Sequence, residues 1–297
     1  MQGLVYRSTG SWFSVRDEQG LYWNARVKGK LKIDEDISST NPIAVGDVVQ
    51  FDVEDDTTKT AMVTNVNDRH NYIVRVSPHT SNQKHIVAAN LDLALVMATI
   101  AEPRTSNGFI DRFLLTAEVY HIPAVVVINK IDLLKPKHKE QLEHWQEMYE
   151  SIGYEVYPII ALEHDSVLAL EQRLAGKTTS GHSGVGKSTL INQLIPDLDL
   201  RTKEVSGWSG KGQHTTTFAE MFDTPAGGRI IDTPGVKEFG IIDVEKEELS
   251  HYFPEMRKLL TECRFNNCLH INEPGCAVKR AVMEGTIAED RYISYVT

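Results

Sequence analysis

The chain has 297 residues, 41% of them hydrophobic and 24% charged, with no low-complexity tract, which is the make-up of a soluble globular protein of two or three domains. A net charge of −10 excludes a generally basic nucleic-acid binder, so any RNA contact needs a local basic surface. The longest apolar run of the first half, LDLALVMATIA, contains Asp92 and ends after eleven residues, too short for a bilayer, and the N-terminus lacks the order of a secretory signal.

Residues 1–78 read as five short strands, LVYRS, SWFSVRD, LYWNARVKG, DVVQFDVED and AMVTNVN, punctuated by Gly10, Gly20 and Gly46. Five strands in so short a stretch predict a small Greek-key barrel of the oligonucleotide-binding (OB) type. Pro78 and the polar HTSNQKH that follows are expected to be a linker. From there to residue 245, apolar strand candidates at 91–100, 124–129, 154–160 and 229–232 alternate with helical segments at 109–120, 137–152, 166–174 and 187–195. That is the rhythm of a parallel α/β domain. Residues 246–297 carry no strand signal: EELSHYFPEMRKLLTE, CAVKRAVMEG and AEDRYISYV are expected to be helical. No internal repeat is found.

GHSGVGKST, residues 181–189, matches G-x-x-x-x-G-K-[ST] at Gly181, Gly186, Lys187 and Ser188. Glycines let backbone N–H groups face phosphates at a helix start, so Gly181, His182, Ser183, Gly184, Val185, Gly186 and Thr189 are expected to line them. Lys187 is expected to reach the β- and γ-phosphates and the Ser188 hydroxyl to ligate Mg²⁺. The strand before the loop offers only Thr178, Thr179 and Ser180, so it is expected to be either very short or shorter than the usual strand at this place. RIIDTPG places Asp232 at a strand end, where it can hold the Mg²⁺ shell, with the Gly235 N–H near the γ-phosphate. FDTPAG at 222–227 is a decoy, without the final Gly or a preceding apolar run. SGWSGKGQHTTTF has the composition of a switch loop, in which Thr215 or Thr216 can offer a hydroxyl to Mg²⁺.

VVVINKID ends in Asn-Lys-x-Asp. The Asp132 carboxylate can accept from guanine N1–H and the exocyclic amine, Asn129 supports the base edge, and the Lys130 stem packs over the ring. Adenine presents the wrong pattern, so an adenine-nucleotide enzyme is disfavoured. The motif that usually follows is reduced to IIALE, leaving the Ala161 N–H as a base contact. The guanine motif precedes the phosphate loop, so the order is permuted; termini that lie close together allow such a permutation with the core sheet kept. The second switch then runs directly into the C-terminal segment.

CRFNNCLHINEPGC sets Cys263, Cys268, His270 and Cys276, including every cysteine of the chain, within fourteen residues. Three thiols and an imidazole suit one tetrahedral Zn²⁺ per chain in a structural site, and clustered cysteines without partners elsewhere suit a reducing cytoplasm. In the barrel, Arg26, Lys28, Lys30 and Lys32 recur at period two and are candidates for RNA contact, with Trp12, Phe13, Tyr22 and Trp23 as stacking surfaces.

The permuted order, GHSGVGKSTLIN, GKGQHTTT, IIDTPG and the downstream Cys/His knot together resemble the bacterial small-ribosomal-subunit-dependent GTPases of the RsgA (YjeQ) type, over nearly the whole chain. The resemblance implies an OB-type barrel, a circularly permuted P-loop GTPase domain and a C-terminal helical zinc-binding module. It implies a cytoplasmic GTP hydrolase of late small-subunit (30S) maturation that binds the subunit and its rRNA and is activated by it, as a monomer without membrane contact. The matching histidine, His214, is implied to be catalytic; it is also the nearest polar substitute for the water-orienting Gln of Ras-like enzymes, whose place is taken by Val236. The competing reading is an RNA-binding assembly factor that uses GTP only as an ordering ligand.

Overall fold

A computed structural model describes residues 1–27, 42–77, 80–182, 185–198, 219–233 and 244–297, without the side chains at 75–77, 80–84 and 182. In chain order the strands are β1 (Gln2–Ser8), β2 (Phe13–Asp17), β3 (Tyr22–Val27), β4 (Val48–Asp55), β5 (Thr60–Val66), β6 (Tyr72–Ser77), β7 (Thr80–Ala89) and β8 (Leu93–Ala98). Helix α1 (Asn107–Val119), β9 (Ala124–Asn129), α2 (Pro136–Ser151), β10 (Glu155–Ile159), α3 (His164–Leu174), β11 (Thr178–His182) and α4 (Lys187–Leu194) follow. The chain ends with β12 (Glu220–Asp223), β13 (Arg229–Asp232), α5 (Pro254–Arg257), α6 (Ala277–Met283) and α7 (Glu289–Val296). These elements group into two compact units, one of residues 1–95 and 161–240, the other of residues 96–160 and 241–297.

In the first unit, the strand alternation closes a barrel. β1 pairs with β2, β2 with β3, β3 in parallel with β5, β5 with β4, and β4 returns to β1. The inward positions of each strand meet in one core of Val5, Phe13, Val15, Trp23, Ala25, Ile43, Val49, Phe51, Ala61 and Val63. Burying side chains of this size stabilises by about 1.5–3 kcal/mol each. The indole N–H of Trp23 donates to Asp17 at 2.8 Å, and the same carboxylate accepts from the Gln19 and Leu21 N–H groups. Those bonds, the Trp23 one first, hold the Asp17 carboxyl below its ordinary value, so a buried charge is tolerated there.

The expected linker after residue 78 is corrected. β6 and β7 form an antiparallel ribbon with Tyr72 opposite Ala89 and Arg75 opposite His85, so the polar residues 80–85 lie in a strand. Ile86, Val87, Ala88 and Ala89 are buried and anchor its end, and the ladder beyond them is satisfied by backbone pairing whatever the side chains. β11 runs for five residues, which removes the very short alternative. It runs parallel to β13, and Asp92 clamps its start, donating its backbone N–H to the Thr178 carbonyl at 2.8 Å and accepting the Thr178 N–H on its carboxylate at 2.7 Å. β12 pairs antiparallel with β13 and meets β1 at Arg7 and Glu220.

In the second unit, β9 and β10 run parallel with Asn129 opposite Ile159. The C-terminal segment packs its apolar residues against α1: Leu115, Phe253, Met256, Cys268, Cys276, Val278, Ala281, Ile287 and Tyr295 form one core. The helix expected over EELSHYFPEMRKLLTE is instead broken into 3₁₀ turns at Leu249–Tyr252 and Leu260–Glu262 around the four-residue α5. Pro254 starts α5 because its missing N–H cannot continue a helix begun upstream.

One buried ionic network ties this unit together. Arg291 of α7, 2% exposed, donates to Asp111 of α1 at 2.6 Å and to Glu255 of α5 at 2.7 Å, and lies 4.7 Å from the Phe253 ring centre. Tyr149 of α2 donates its hydroxyl to the same Asp111. Removing the cation leaves two carboxylates desolvated and adjacent. Arg291→Met should therefore cost about 3–5 kcal/mol of stability, read as a lower urea midpoint. A midpoint equal to the parent's shows that the network contributes nothing net.

Candidate functional site

The phosphate motif and the Asp232 motif converge in the first unit. Parallel pairing sets Gly181 opposite Asp232, so the loop after β11 and the end of β13 leave the sheet side by side. Gly186 caps α4 at φ +115°, a conformation that L side chains rarely adopt, and directs Lys187 into the first turn. Lys187 is 3% exposed; its Nζ lies 2.5 Å from Asp232 Oδ1 and donates to the Gly181 carbonyl at 3.1 Å. Burial pulls the ammonium below its ordinary pKa, and Asp232 opposes that pull. The Thr233 hydroxyl also donates to the Gly181 carbonyl. A desolvated ammonium and carboxylate at parallel strand ends, beside the N-terminus of α4, are the donor and acceptor set for a phosphate and a hard cation. Ser188 and Thr189 are half-buried in the first turn of α4, and Val185 is buried.

Asp223 of the FDTPAG decoy is engaged elsewhere: its carboxylate accepts from the Tyr6 hydroxyl at 2.7 Å and from Arg16 at 2.5 Å. Ser183, Gly184, His214, Thr215, Thr216 and Gly235, together with the His182 side chain, lie outside the described residues.

The guanine motif is built at the end of β9. Asn129 is 3% exposed and accepts the Lys130 N–H on its side chain at 2.8 Å. Lys130 stands at φ 63° in the left-handed region, and its ammonium donates to the Glu102 carbonyl at 2.9 Å. The chain then turns through Ile131–Leu133, presenting Asp132 to solvent, where its oxygens can accept from a ligand. Ala161 is buried in the turn after β10.

Cys263, Cys268, His270 and Cys276 come together in the second unit with their ligand atoms all within 4.8 Å of one another. His270 Nδ1 lies 3.3 Å from the Cys276 sulfur and 3.6 Å from that of Cys263. A tetrahedral ion with bonds of about 2.0–2.3 Å separates its ligands by roughly this much. The N–H groups of Ala277 and Lys279 point at the sulfurs of Cys263 and Cys276, each at 3.4 Å, as suits thiolates. Burial pushes the Cys268 thiol up to about 12 and the imidazole of His270 down. A bound cation would have to displace the thiol protons and would find His270 neutral.

Three residues that sequence reasoning passed over shape this loop. Glu273 accepts the N–H groups of Leu269, Ile271 and Asn272, while Tyr292 and Tyr295 donate their hydroxyls to the carbonyls of His270 and Leu269. The two tyrosines stand three apart on α7, which was the available signal.

On the barrel, Phe13 and Trp23 are corrected from stacking surfaces to core residues, 1% and 3% exposed, because β2 and β3 turn them inward. Trp12 and Tyr22 are exposed. Tyr22 and Tyr6 flank Arg16, with its guanidinium carbon 5.7 Å from each ring centre. Of the basic face only Arg26 is described, and Glu54 holds its guanidinium through two hydrogen bonds; Lys28, Lys30 and Lys32 lie outside the described residues. Among the described residues, no helix is long and apolar enough to cross a membrane.

The comparisons with known proteins identify the family of the chain. Residues 66–242 match the family described as RsgA GTPase, and residues 2–60 match the RsgA N-terminal domain. The chain is 48% identical to the small ribosomal subunit biogenesis GTPase RsgA of Christiangramia forsetii, covering 100% of this chain and 95% of that one. It is 47% identical to the protein of the same name from Bacteroides fragilis, covering 100% and 96%. Among solved structures, YjeQ from Thermotoga maritima superposes with a TM-score of 0.79 at 33% identity over 99% of this chain and 95% of that chain. YloQ, described as a circularly permuted GTPase, superposes at 0.75 with 29% identity over 99% and 92%. An OB-type barrel, a permuted P-loop domain with Lys187 on Asp232 and a C-terminal Cys₃His cluster are here on one chain, which belongs to the RsgA GTPase family and is a GTP-hydrolysing enzyme.

Proposed function

We propose that the chain hydrolyses GTP, with Mg²⁺, during maturation of the small ribosomal subunit, and that the subunit and its rRNA are its partner and activator. The observation that carries the nucleotide chemistry is the placement of Lys187 against Asp232 at the ends of β11 and β13. The names of the curated relatives carry the subunit assignment.

In this reading the phosphates lie on the N–H groups of residues 181–186 and of Lys187, Ser188 and Thr189 at the start of α4. Lys187 exchanges Asp232 for the β- and γ-phosphates, which frees the carboxylate for the cation shell beside the Ser188 hydroxyl. Ser188, Asp232 and Thr215 or Thr216 would hold Mg²⁺, which would supply positive charge to offset the negative charge that develops on the phosphate oxygens. On their sequence motifs, the Gly235 N–H is assigned to the γ-phosphate and His214 to positioning the attacking water. Asp132 and Asn129 read guanine, Lys130 covers the ring, and the Ala161 N–H adds a base contact. The cysteine cluster holds one structural zinc, since four protein ligands leave no position for a water. Arg26, Lys28, Lys30 and Lys32, alternating along the sequence, meet rRNA phosphates.

Asp132→Ala removes two charge-assisted hydrogen bonds and should weaken GTP binding by about 10²- to 10⁴-fold, while Asp132→Asn should favour xanthine nucleotides. Titration of a fluorescent GTP analogue with each variant decides this, and parental affinity in both takes the motif out of the site. Elemental analysis should find one zinc per chain. Cys268→Ser should lose it along with the fold of the C-terminal segment, since structural zinc contributes about 10–16 kcal/mol in small modules. Metal-free protein as first purified ends that assignment. Phosphate release should be slow for the free protein and strongly stimulated by small subunits. His214→Ala should abolish the stimulated rate while GTP and subunit binding persist; full stimulated turnover in that variant places the water-positioning group on the ribosome.

A further inference from the structure

Lysine has a long, flexible stem, and an ammonium at its tip ordinarily samples many rotamers. Lys130 is held at both ends instead. Its backbone is left-handed at φ 63°, and its ammonium donates to the Glu102 carbonyl at 2.9 Å. That carbonyl belongs to a short loop built with unusual care. The Thr105 N–H donates to the Thr99 carbonyl at 2.9 Å, and the Thr99 N–H returns to the Thr105 hydroxyl oxygen at 3.0 Å. The Thr99 hydroxyl donates to the carbonyl of Pro103, and Thr99 itself is 1% exposed. Just beyond, Ser106 caps α1 by accepting the Phe109 N–H, so the loop is fixed at its far end as well. Neither threonine belongs to a nucleotide motif, yet their reciprocal bonds set where the Glu102 carbonyl points.

We propose that Thr99 and Thr105 are positioning residues for the guanine base, acting through the Glu102 carbonyl that anchors the Lys130 ammonium. The inference rests on the reading of Asn129–Asp132 as the guanine site. With the tip anchored, the four methylenes of Lys130 form a preorganised apolar shelf for the purine ring, so binding need not order the side chain. Thr105→Val keeps the shape and removes the oxygen that accepts the Thr99 N–H. The loop then loses its reciprocal bond, and the carbonyl loses its fixed place.

The test is a double-mutant cycle on the full chain, with KM and kcat measured for intrinsic GTP hydrolysis. Thr105→Val should raise KM for GTP roughly 3- to 10-fold with kcat held within about twofold, and Thr105→Ser, which keeps the oxygen, should match the parent. In a Lys130→Met background, where no ammonium is left to anchor, Thr105→Val should change KM by less than about twofold. An equal penalty in both backgrounds assigns Thr105 a general structural role and overturns the inference, as does a parental KM for Thr105→Val alone. Asp132→Ala, run in parallel, separates the two levels. Unchanged GTP affinity there removes the guanine site itself, whereas weakened affinity in Asp132→Ala with none in Thr105→Val removes only the positioning role.

Discussion

The register that sets Gly181 beside Asp232 is the constraint on which the nucleotide chemistry depends. Parallel strands deliver their C-terminal ends to the same edge of the sheet, and a one-residue slip would turn the side chains of β13 to the other face. With this register, Lys187 and Asp232 form a desolvated pair only 2.5 Å apart. Such a pair is weak as a source of stability, because most of its attraction is spent on desolvation. Under the proposed function its use is chemical: each partner is exchangeable for a ligand charge of the same sign as the one it gives up. In the proposed reading, the pair holds the charges that a phosphate and a divalent cation need, with the Lys187 side chain buried and that of Asp232 nearly so.

The supports of this edge are mostly backbone contacts. β11 is unusual in being built of Thr178, Thr179 and Ser180, all buried. The side-chain oxygens of Thr179 and Ser180 have no hydrogen-bond partner among the described residues. Unpaired buried hydroxyls disfavour a strand by about 1–3 kcal/mol each, so what holds β11 is its ladder to β13 and the Asp92 clamp at its start. On the other side of β13, β12 is fastened to the barrel by the Tyr6 and Arg16 bonds to Asp223 and by the pairing of Arg7 with Glu220. β12 follows directly after the segment that contains His214, Thr215 and Thr216. The strand that leaves this switch segment is therefore bonded to the barrel, within one compact unit.

The second unit answers a different problem, the small size of the C-terminal segment. Its core is completed by Leu115 of α1, and its charges are gathered on Arg291, with Asp111 and Glu255 as partners. The contacts of His270 with Cys263 and Cys276 and the hydroxyls of the two α7 tyrosines then fix the loop that carries His270. The permutation gives this arrangement its meaning. The Asp232 motif runs straight into this segment in sequence, so the polypeptide itself links the phosphate end of the enzyme to the cluster.

Much of this was legible in the residues. Fixed spacings singled out Lys187 and Asp232, which strand pairing brings together, and the Cys₃His set, which meets in one cluster, because each chemistry needs particular side chains at particular separations; the guanine motif at Asn129–Asp132 was proposed on the same ground. Period-two and period-3.6 patterns located the barrel strands and helices α1 to α4 to within two residues. Tertiary structure decided what local pattern cannot carry. It made β7 a strand despite its polar residues, since backbone pairing with β6 satisfies the ladder. It lengthened β11 and broke the expected helix at Pro254. It sent Phe13 and Trp23 inward while leaving Trp12 and Tyr22 out, a choice set by which face of each strand closes the barrel. Composition and spacing determine which groups a chain can bring to a site; the pairing of distant strands and the burial of charge determine which of them meet, because those energies exist only once residues far apart in sequence are packed together.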